Sequence, residues 1–97
     1  METDEIRRIL RRHADELRSR YRVGFLALFG SSARREATET SDVDLLVEFD
    51  TEPTFDLFMD LKFRLEELLG RPVDLVTRAG LRDGLKERVE REAVRVA

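Results

Sequence analysis

Apolar residues are arranged in two ways along this chain: as short continuous runs, and as positions that recur every three or four residues. The runs are bounded by Gly, Pro or polar residues and have the length of buried strands. We therefore predict strands over residues 23–29, 43–49 and 72–77. The alternation at the end of the chain, residues 93–96, favours a short fourth strand over a continued helix.

The segments between these strands show helical spacing. An acidic, cappable start predicts the first helix, and a proline start with a glycine end predicts the longest one. The predicted helices are residues 3–20, a short helix that begins at Ser31, residues 53–70 and residues 81–92.

The lengths of the connections predict how the strands pair. The segment before the second strand holds only a short helical turn and a loop, so the first two strands are predicted to be antiparallel neighbours. The helix of residues 53–70 is long enough for a crossover, which allows the third strand to run parallel to a neighbour. We expect an α/β fold, or α+β by a stricter definition, in which a small mixed β-sheet of three to four strands is flanked by helices.

Composition narrows the possible functions. The 97 residues are predicted to form a single domain, residues 1–97. The chain has no cysteine, which excludes disulfides and Cys-based zinc sites. It has one histidine, which weakens the case for a hydrolase that uses a Ser-His pair. A net charge of −3 does not favour direct binding of nucleic acid. Because there is no long apolar run or basic leader, we expect no membrane association and a cytoplasmic location.

Asp42 and Asp44 are the most informative polar residues. Two positions apart on a strand, they lie on one face, while Val43, Leu45 and Val47 take the opposite, buried face. Asp is disfavoured in strands, so a pair at the start of an apolar strand indicates a function. Carboxylates at this spacing suit Mg²⁺ that bridges substrate phosphates, especially a pair of Mg²⁺ ions a few ångströms apart. The alternative is a pair of acidic residues that only face water.

Gly30 and Ser31 lie between the first strand and a predicted helix. Glycine lets the backbone approach an anion closely, and the Ser31 hydroxyl and the free N–H groups of a helix start can donate to phosphate oxygens. Ser31 could also be an ordinary N-cap, and the two roles are compatible. Arg34, one turn into that helix, could reach a phosphate.

Together these residues resemble the DNA polymerase β-type nucleotidyltransferase superfamily. Within it the chain is most similar to the minimal nucleotidyltransferases, the antitoxin partners of HEPN-domain toxins. The segments that carry the resemblance are Leu28-Phe29-Gly30-Ser31, Ala33-Arg34, Ser41-Asp42-Val43-Asp44-Leu45-Leu46-Val47, Val73-Asp74-Leu75-Val76 and residues 88–94. Ser32 and Arg35 depart from the common form of the family, which has Arg and Gly at those positions.

The resemblance implies a polymerase β-like fold and a role for each matching residue. Asp42, Asp44 and Asp74 would be the catalytic residues and the Mg²⁺ ligands, with Asp74 on the strand next to the other two. The implied nucleotide-binding residues are Gly30, Ser31, Arg34 and Ser41. Without the resemblance, Asp74 would be better explained as an ion-pair partner of Arg71 or of another arginine.

The implied reaction is the transfer of AMP from ATP to a tyrosine hydroxyl of a HEPN ribonuclease toxin, which silences the toxin. Two alternatives stay open: a non-catalytic antitoxin that blocks the toxin sterically, and nucleotidyl transfer to a small molecule. An enzyme accounts better for three aspartates, since steric blocking does not require them.

The helix of residues 53–70 has two apolar stripes. The stripe predicted to face the core consists of Leu57, Phe58, Leu61, Leu65, Leu68 and Leu69. The second stripe, Phe55, Met59 and Phe63, recurs every four residues. It is either covered by the first helix or is a surface that binds a partner protein or a second copy of this chain.

Overall fold

The first described part of the chain is a pair of helices followed by a strand. The computed structural model describes residues 3–29, 42–80, 87, 91 and 94–96. Helix α1 spans Thr3–Arg12, helix α2 spans Ala14–Tyr21 and strand β1 spans Val23–Leu28.

The middle of the chain is a strand–helix–strand unit. Strand β2 spans Val43–Phe49, helix α3 spans Phe55–Leu69 and strand β3 spans Val73–Thr77. A 3₁₀ turn, Arg78–Gly80, follows β3, and strand β4, Val94–Arg95, lies near the end of the chain. The four predicted strands are therefore present, each to within one residue of its predicted ends.

The sheet is mixed, with the strand order β3-β2-β1-β4. Strand β1 runs antiparallel to both β2 and β4, and β2 runs parallel to β3 with α3 as the crossover. This arrangement confirms the predicted fold class and strand pairing. The short helix predicted at Ser31 lies outside the described residues, as does most of the predicted helix 81–92, of which Glu87 and Arg91 are described and helical.

The first predicted helix is interrupted at His13, which corrects the prediction of one helix over residues 3–20. The backbone of His13 is not helical (φ −104°, ψ 12°), and its N–H donates to the carbonyl of Leu10 at 3.2 Å. The carbonyl of Ile9, which would accept that N–H in a continuous helix, lies 3.0 Å from the His13 Nδ1. The imidazole therefore replaces the lost backbone hydrogen bond, and the chain can change direction without leaving a carbonyl unsatisfied.

The core lies between one face of the sheet and the three helices. Alternate residues of the strands face it, and one stripe of each helix covers it. Its fully buried members include Ile6, Leu10, Leu17, Leu26, Leu28, Leu45, Val47, Leu61 and Leu65. Each such side chain contributes roughly 1.5–3 kcal/mol by leaving water, so this layer holds the sheet and helices together.

Both ends of α3 are set by local signals. The Oγ1 of Thr54 accepts a hydrogen bond from the N–H of Leu57 at 3.1 Å, so the helix begins at Phe55 and not at Pro53 as predicted. At the other end Gly70 adopts a left-handed conformation (φ 66°) and donates its N–H to the carbonyl of Glu66 at 2.7 Å. The predicted glycine end is confirmed.

An ion pair fixes α3 against α2. The guanidinium of Arg64 holds Glu16 through two contacts, Nε to Oε2 at 2.6 Å and Nη2 to Oε1 at 3.0 Å. The hydrogen bonds from Arg64 lower the pKa of Glu16 below its usual range, and the same contact raises the pKa of Arg64. None of the helices in the described ranges is long and apolar enough to cross a membrane.

Candidate active site

Strands β2 and β3 bring two of the predicted carboxylates together. In their parallel register Asp44 lies opposite Asp74, and paired residues of neighbouring strands point to the same face of a sheet. Asp42 comes one residue before β2, two positions from Asp44. Asp44 and Asp74 thus lie on the face opposite the core, at the end of the sheet where Asp42 precedes β2.

Backbone hydrogen bonds fix this end of the sheet. The N–H of Phe29 donates to the carbonyl of Asp44 at 3.1 Å, and the N–H of Val43 donates to the carbonyl of Pro72 at 2.9 Å. The chain therefore leaves β1 beside Asp44, and it enters β2 at Asp42, beside the start of β3. The predicted phosphate-binding segment begins one residue after Phe29, and Phe29 and Asp42, the described residues on either side of it, both lie at the end of the sheet that carries Asp44 and Asp74.

The other predicted site residues lie in that segment. Gly30, Ser31, Arg34 and Ser41 fall outside the described residues. Their predicted contacts with the nucleotide therefore stay predictions, and the described geometry concerns the aspartates.

The aspartates have the accessibility that a substrate site needs. Asp42 and Asp74 are exposed and Asp44 is half-buried. In the described part of the chain, no group of three or more Asp, Glu, His or Cys side chains is close enough to hold a metal ion by itself. Mg²⁺ is usually held by one or two carboxylates together with substrate phosphates and water. The oxygen donors of Asp44 and Asp74 fit that mode of binding, in which the substrate supplies the remaining ligands.

A cleft of about 500 Å³ lies at the opposite end of β2 and β3, where sequence reasoning predicted no site. Its lining includes Glu48 and Arg78, which form an ion pair at 2.9 Å, and the Arg78 guanidinium lies 5.2 Å from the ring centroid of Phe25. Glu48 is four residues along β2 from Asp44, or roughly 13 Å at the rise of a strand. This cleft is therefore separate from the carboxylates.

Arg71 is a second feature that sequence reasoning did not identify as buried. It is only 8% exposed, although it lies in the turn between Gly70 and the start of β3. A charged side chain is seldom buried so deeply without a specific environment. The sequence feature that could have predicted this burial is the position of Arg71 between Gly70, which ends the helix, and Pro72, where the chain turns back into the sheet.

The second stripe of α3 is exposed, as the partner-surface interpretation required. Phe55 is 76% exposed and Phe63 is 56% exposed, while Met59 is partly buried. The first helices do not cover the stripe, because they pack instead against the face that carries Leu61, Leu65 and Leu69.

Most of the chain matches the model of a known protein family. A family model described as a nucleotidyltransferase domain matches residues 10–96. Protein adenylyltransferase MntA of Thermococcus cleftensis is 46% identical over 93 residues, which are 96% of this chain and 94% of that protein.

Solved structures agree with this match. The solved structure of a proposed minimal nucleotidyltransferase matches this chain with a TM-score of 0.83 at 41% identity. The match covers 97% of this chain and 95% of the other. A tri-AMPylated Shewanella oneidensis HEPN toxin in complex with an MNT antitoxin has a TM-score of 0.66 at 18% identity, over 94% of this chain and 71% of the other. At that identity the second likeness shows the fold alone.

Proposed function

This chain belongs to the nucleotidyltransferase domain family, and from that premise we propose that it transfers AMP from ATP to a tyrosine hydroxyl of a HEPN toxin. It acts with Mg²⁺ as a cofactor, silences the toxin and so serves as an antitoxin. Residues 1–97 work as a single domain in the cytoplasm. The adenylyltransferase name of a relative that is 46% identical supports the reaction, and the solved HEPN complex with the same fold supports the partner.

The observation that carries the proposal is the pairing of Asp44 with Asp74 at the point where Phe29 leads into the glycine-serine segment. In this arrangement the described residues on either side of the predicted phosphate-binding segment lie at the end of the sheet that carries the two carboxylates. An antitoxin that only blocked a toxin sterically would not require Asp44 and Asp74 to be paired on neighbouring strands.

The aspartates hold and orient the reactants in this proposal. Asp42, Asp44 and Asp74 would be the Mg²⁺ ligands, and the bound metal would neutralise the charge of the triphosphate. Asp74 can also accept the proton of the attacking tyrosine hydroxyl. A bond forms between the tyrosine oxygen and the α-phosphorus, the bond from the α-phosphorus to the bridging oxygen breaks, and pyrophosphate leaves. The protein supplies positioning and complementary charge and forms no covalent bond itself.

Transfer can be tested by the intact mass of a HEPN protein from the same genome after incubation with this protein, ATP and Mg²⁺. We expect the HEPN protein to gain the mass of one or more AMP groups, and Asp42→Asn with Asp44→Asn to abolish the gain. Asp15→Asn, an exposed change on α2, is the matched control and should keep full transfer. Full transfer by the double variant would refute the catalytic assignment, and toxin neutralisation without transfer would favour a non-catalytic antitoxin.

Binding of the nucleotide can be tested separately from transfer. Mg²⁺ and ATP added together should raise the stability of the protein by about 2.7 kcal/mol at a hundred times the dissociation constant. Ser31→Ala should reduce this gain, because it removes a hydroxyl donor to phosphate. An unchanged melting temperature at saturating Mg-ATP would contradict a formed nucleotide site.

A further inference from the structure

The exposed stripe of α3 is an apolar surface that the fold leaves uncovered. It consists of Phe55, Met59 and Phe63, and its two phenylalanines are the exposed large hydrophobic residues among the described residues. Single exposed apolar side chains are common on proteins, but aromatic residues grouped on one helix face are typical of binding surfaces. The stripe is therefore a candidate for contact with another molecule.

Negative charge borders this stripe on one side. Asp56 and Asp60 are exposed, and they lie three positions before Met59 and Phe63, so each neighbours a residue of the stripe on the helix surface. Within the described part of the chain, neither of these aspartates makes a hydrogen bond or an ion pair. The border can thus attract a positively charged surface.

The basic side chains of α3 offset this border only in part, because each is paired with a glutamate. The Nζ of Lys62 lies 3.8 Å from the Oε2 of Glu66. Arg64 holds Glu16 through two contacts. The Nζ of Lys62 also lies 5.8 Å from the ring centroid of Phe63, and Arg20 of α2 lines one cavity with Asp60 and Phe63. The acidic border of the stripe is therefore clearest at its Phe55 end, where Asp56 lies.

This charge distribution disfavours a second copy of the chain as the occupant. When two copies of a helix pack antiparallel about a two-fold axis, like borders meet across the interface. Asp56 and Asp60 of one copy would then face the same residues of the other, and like charges repel. A partner with the opposite charge meets the stripe without this repulsion.

We propose that the stripe docks the HEPN partner through a surface on which Arg or Lys residues flank an apolar patch. The identity of the partner rests on the proposed function, whereas its surface chemistry follows from Phe55, Phe63, Asp56 and Asp60. Apolar burial supplies the affinity, and the acidic border favours the correct partner and speeds its approach.

The docking surface and the chemistry lie on different sides of the sheet. Helix α3 packs on the core face through Leu61 and Leu65, whereas Asp44 and Asp74 belong to the other face. The domain measures only 32 × 31 × 18 Å, so a partner protein bound at α3 can also contact the aspartates if it extends past the edge of the sheet. A change in the stripe should therefore raise the KM for the partner and leave kcat and the binding of Mg-ATP unchanged.

The test measures the dissociation constant of the full-length protein with the HEPN protein by titration calorimetry. Phe55→Ser with Phe63→Ser should raise the constant at least about 30-fold, the effect of losing central aromatic anchors. Asp56→Lys with Asp60→Lys should weaken binding more at low than at high ionic strength, because salt screens exposed charges. Glu5→Lys with Asp15→Lys, two exposed acidic residues of α1 and α2, is the matched control and should bind unchanged.

Three results would overturn the proposal. The first is an unchanged dissociation constant for both α3 variants. If the serine variant does not fold, an unchanged dissociation constant for the charge variant alone overturns the proposal. The second is equal weakening by the control, which would indicate a general charge effect. The third is a stable dimer of the unmodified protein in light scattering that the serine changes disrupt, since the stripe would then bind a second copy. Docking that depends on the stripe without any transfer of AMP would refute the proposed function and leave this inference standing.

Discussion

The two apolar faces of α3 differ in burial: one is packed in the core and the other is exposed to water. Leu61 and Leu65 are fully buried and Leu69 is 2% exposed, whereas Phe55 and Phe63 keep more than half of their surface in water. Both faces show the same helical spacing in the sequence. The difference teaches that periodicity identifies an apolar face, but the area of the sheet decides how many such faces a small domain can bury.

The largest expected effect comes from the buried face. Leu65→Ala should destabilise the protein by about 2–5 kcal/mol, because it removes buried methyl groups and leaves a cavity among side chains that cannot close it fully. Urea unfolding followed by circular dichroism measures this change. A loss below about 1 kcal/mol would mean that the two faces differ less than their burial indicates.

The next effect concerns where α3 ends and the chain turns back towards β3. Gly70→Ala should cost about 1 kcal/mol, because φ at this position is 66° and a side chain disfavours that conformation. Nothing lies within 4 Å of the position that the new Cβ would take, so the loss would come from the backbone and not from a clash. Thermal unfolding measures the loss, and Arg18→Ala, a change of an exposed residue on α2, serves as the comparison.

A smaller effect is expected from the ion pair between Glu16 and Arg64, which joins α2 to α3. The folded pKa of Glu16 is lowered by Arg64, so the ion pair stabilises the protein above the unfolded pKa of about 4.5, and the contribution is lost as the pH falls through the folded pKa. Melting temperatures of the unmodified protein and of Glu16→Gln should therefore converge below pH 4.5 and differ at pH 7. A constant difference across this range would show that the charge of Glu16 is not what joins α2 to α3.

The smallest effect is expected at the exposed face. Phe55→Ser should change the free energy of unfolding by no more than about 0.5 kcal/mol, because 76% of the Phe55 surface is already in water. Urea unfolding under the conditions used for Leu65→Ala gives the direct comparison. A loss comparable to that of the buried leucine would make the stripe part of the core and remove the case for docking.

Much of the candidate site was predictable from the sequence. The alternation of Asp42 and Asp44 with Val43 and Leu45 predicted that the aspartates lie on the face away from the core, and in strand β2 Asp44 lies on that face. The position of Asp74 relative to them was implied only by a resemblance, because the sequence of a short apolar strand does not predict which strand lies beside it. The parallel register of β2 and β3 supplied that answer.

The sequence by itself determined the local features of this protein. The strand periods, the glycine that ends α3 and the carboxylates at the start of β2 depend on residues close together in the chain, so the spacing of those residues is enough to predict them. Only the tertiary structure decided that Phe55 and Phe63 stay exposed while Leu61 and Leu65 are buried. That outcome depends on which distant surfaces meet and how much area they offer, and the helical spacing is the same for both faces.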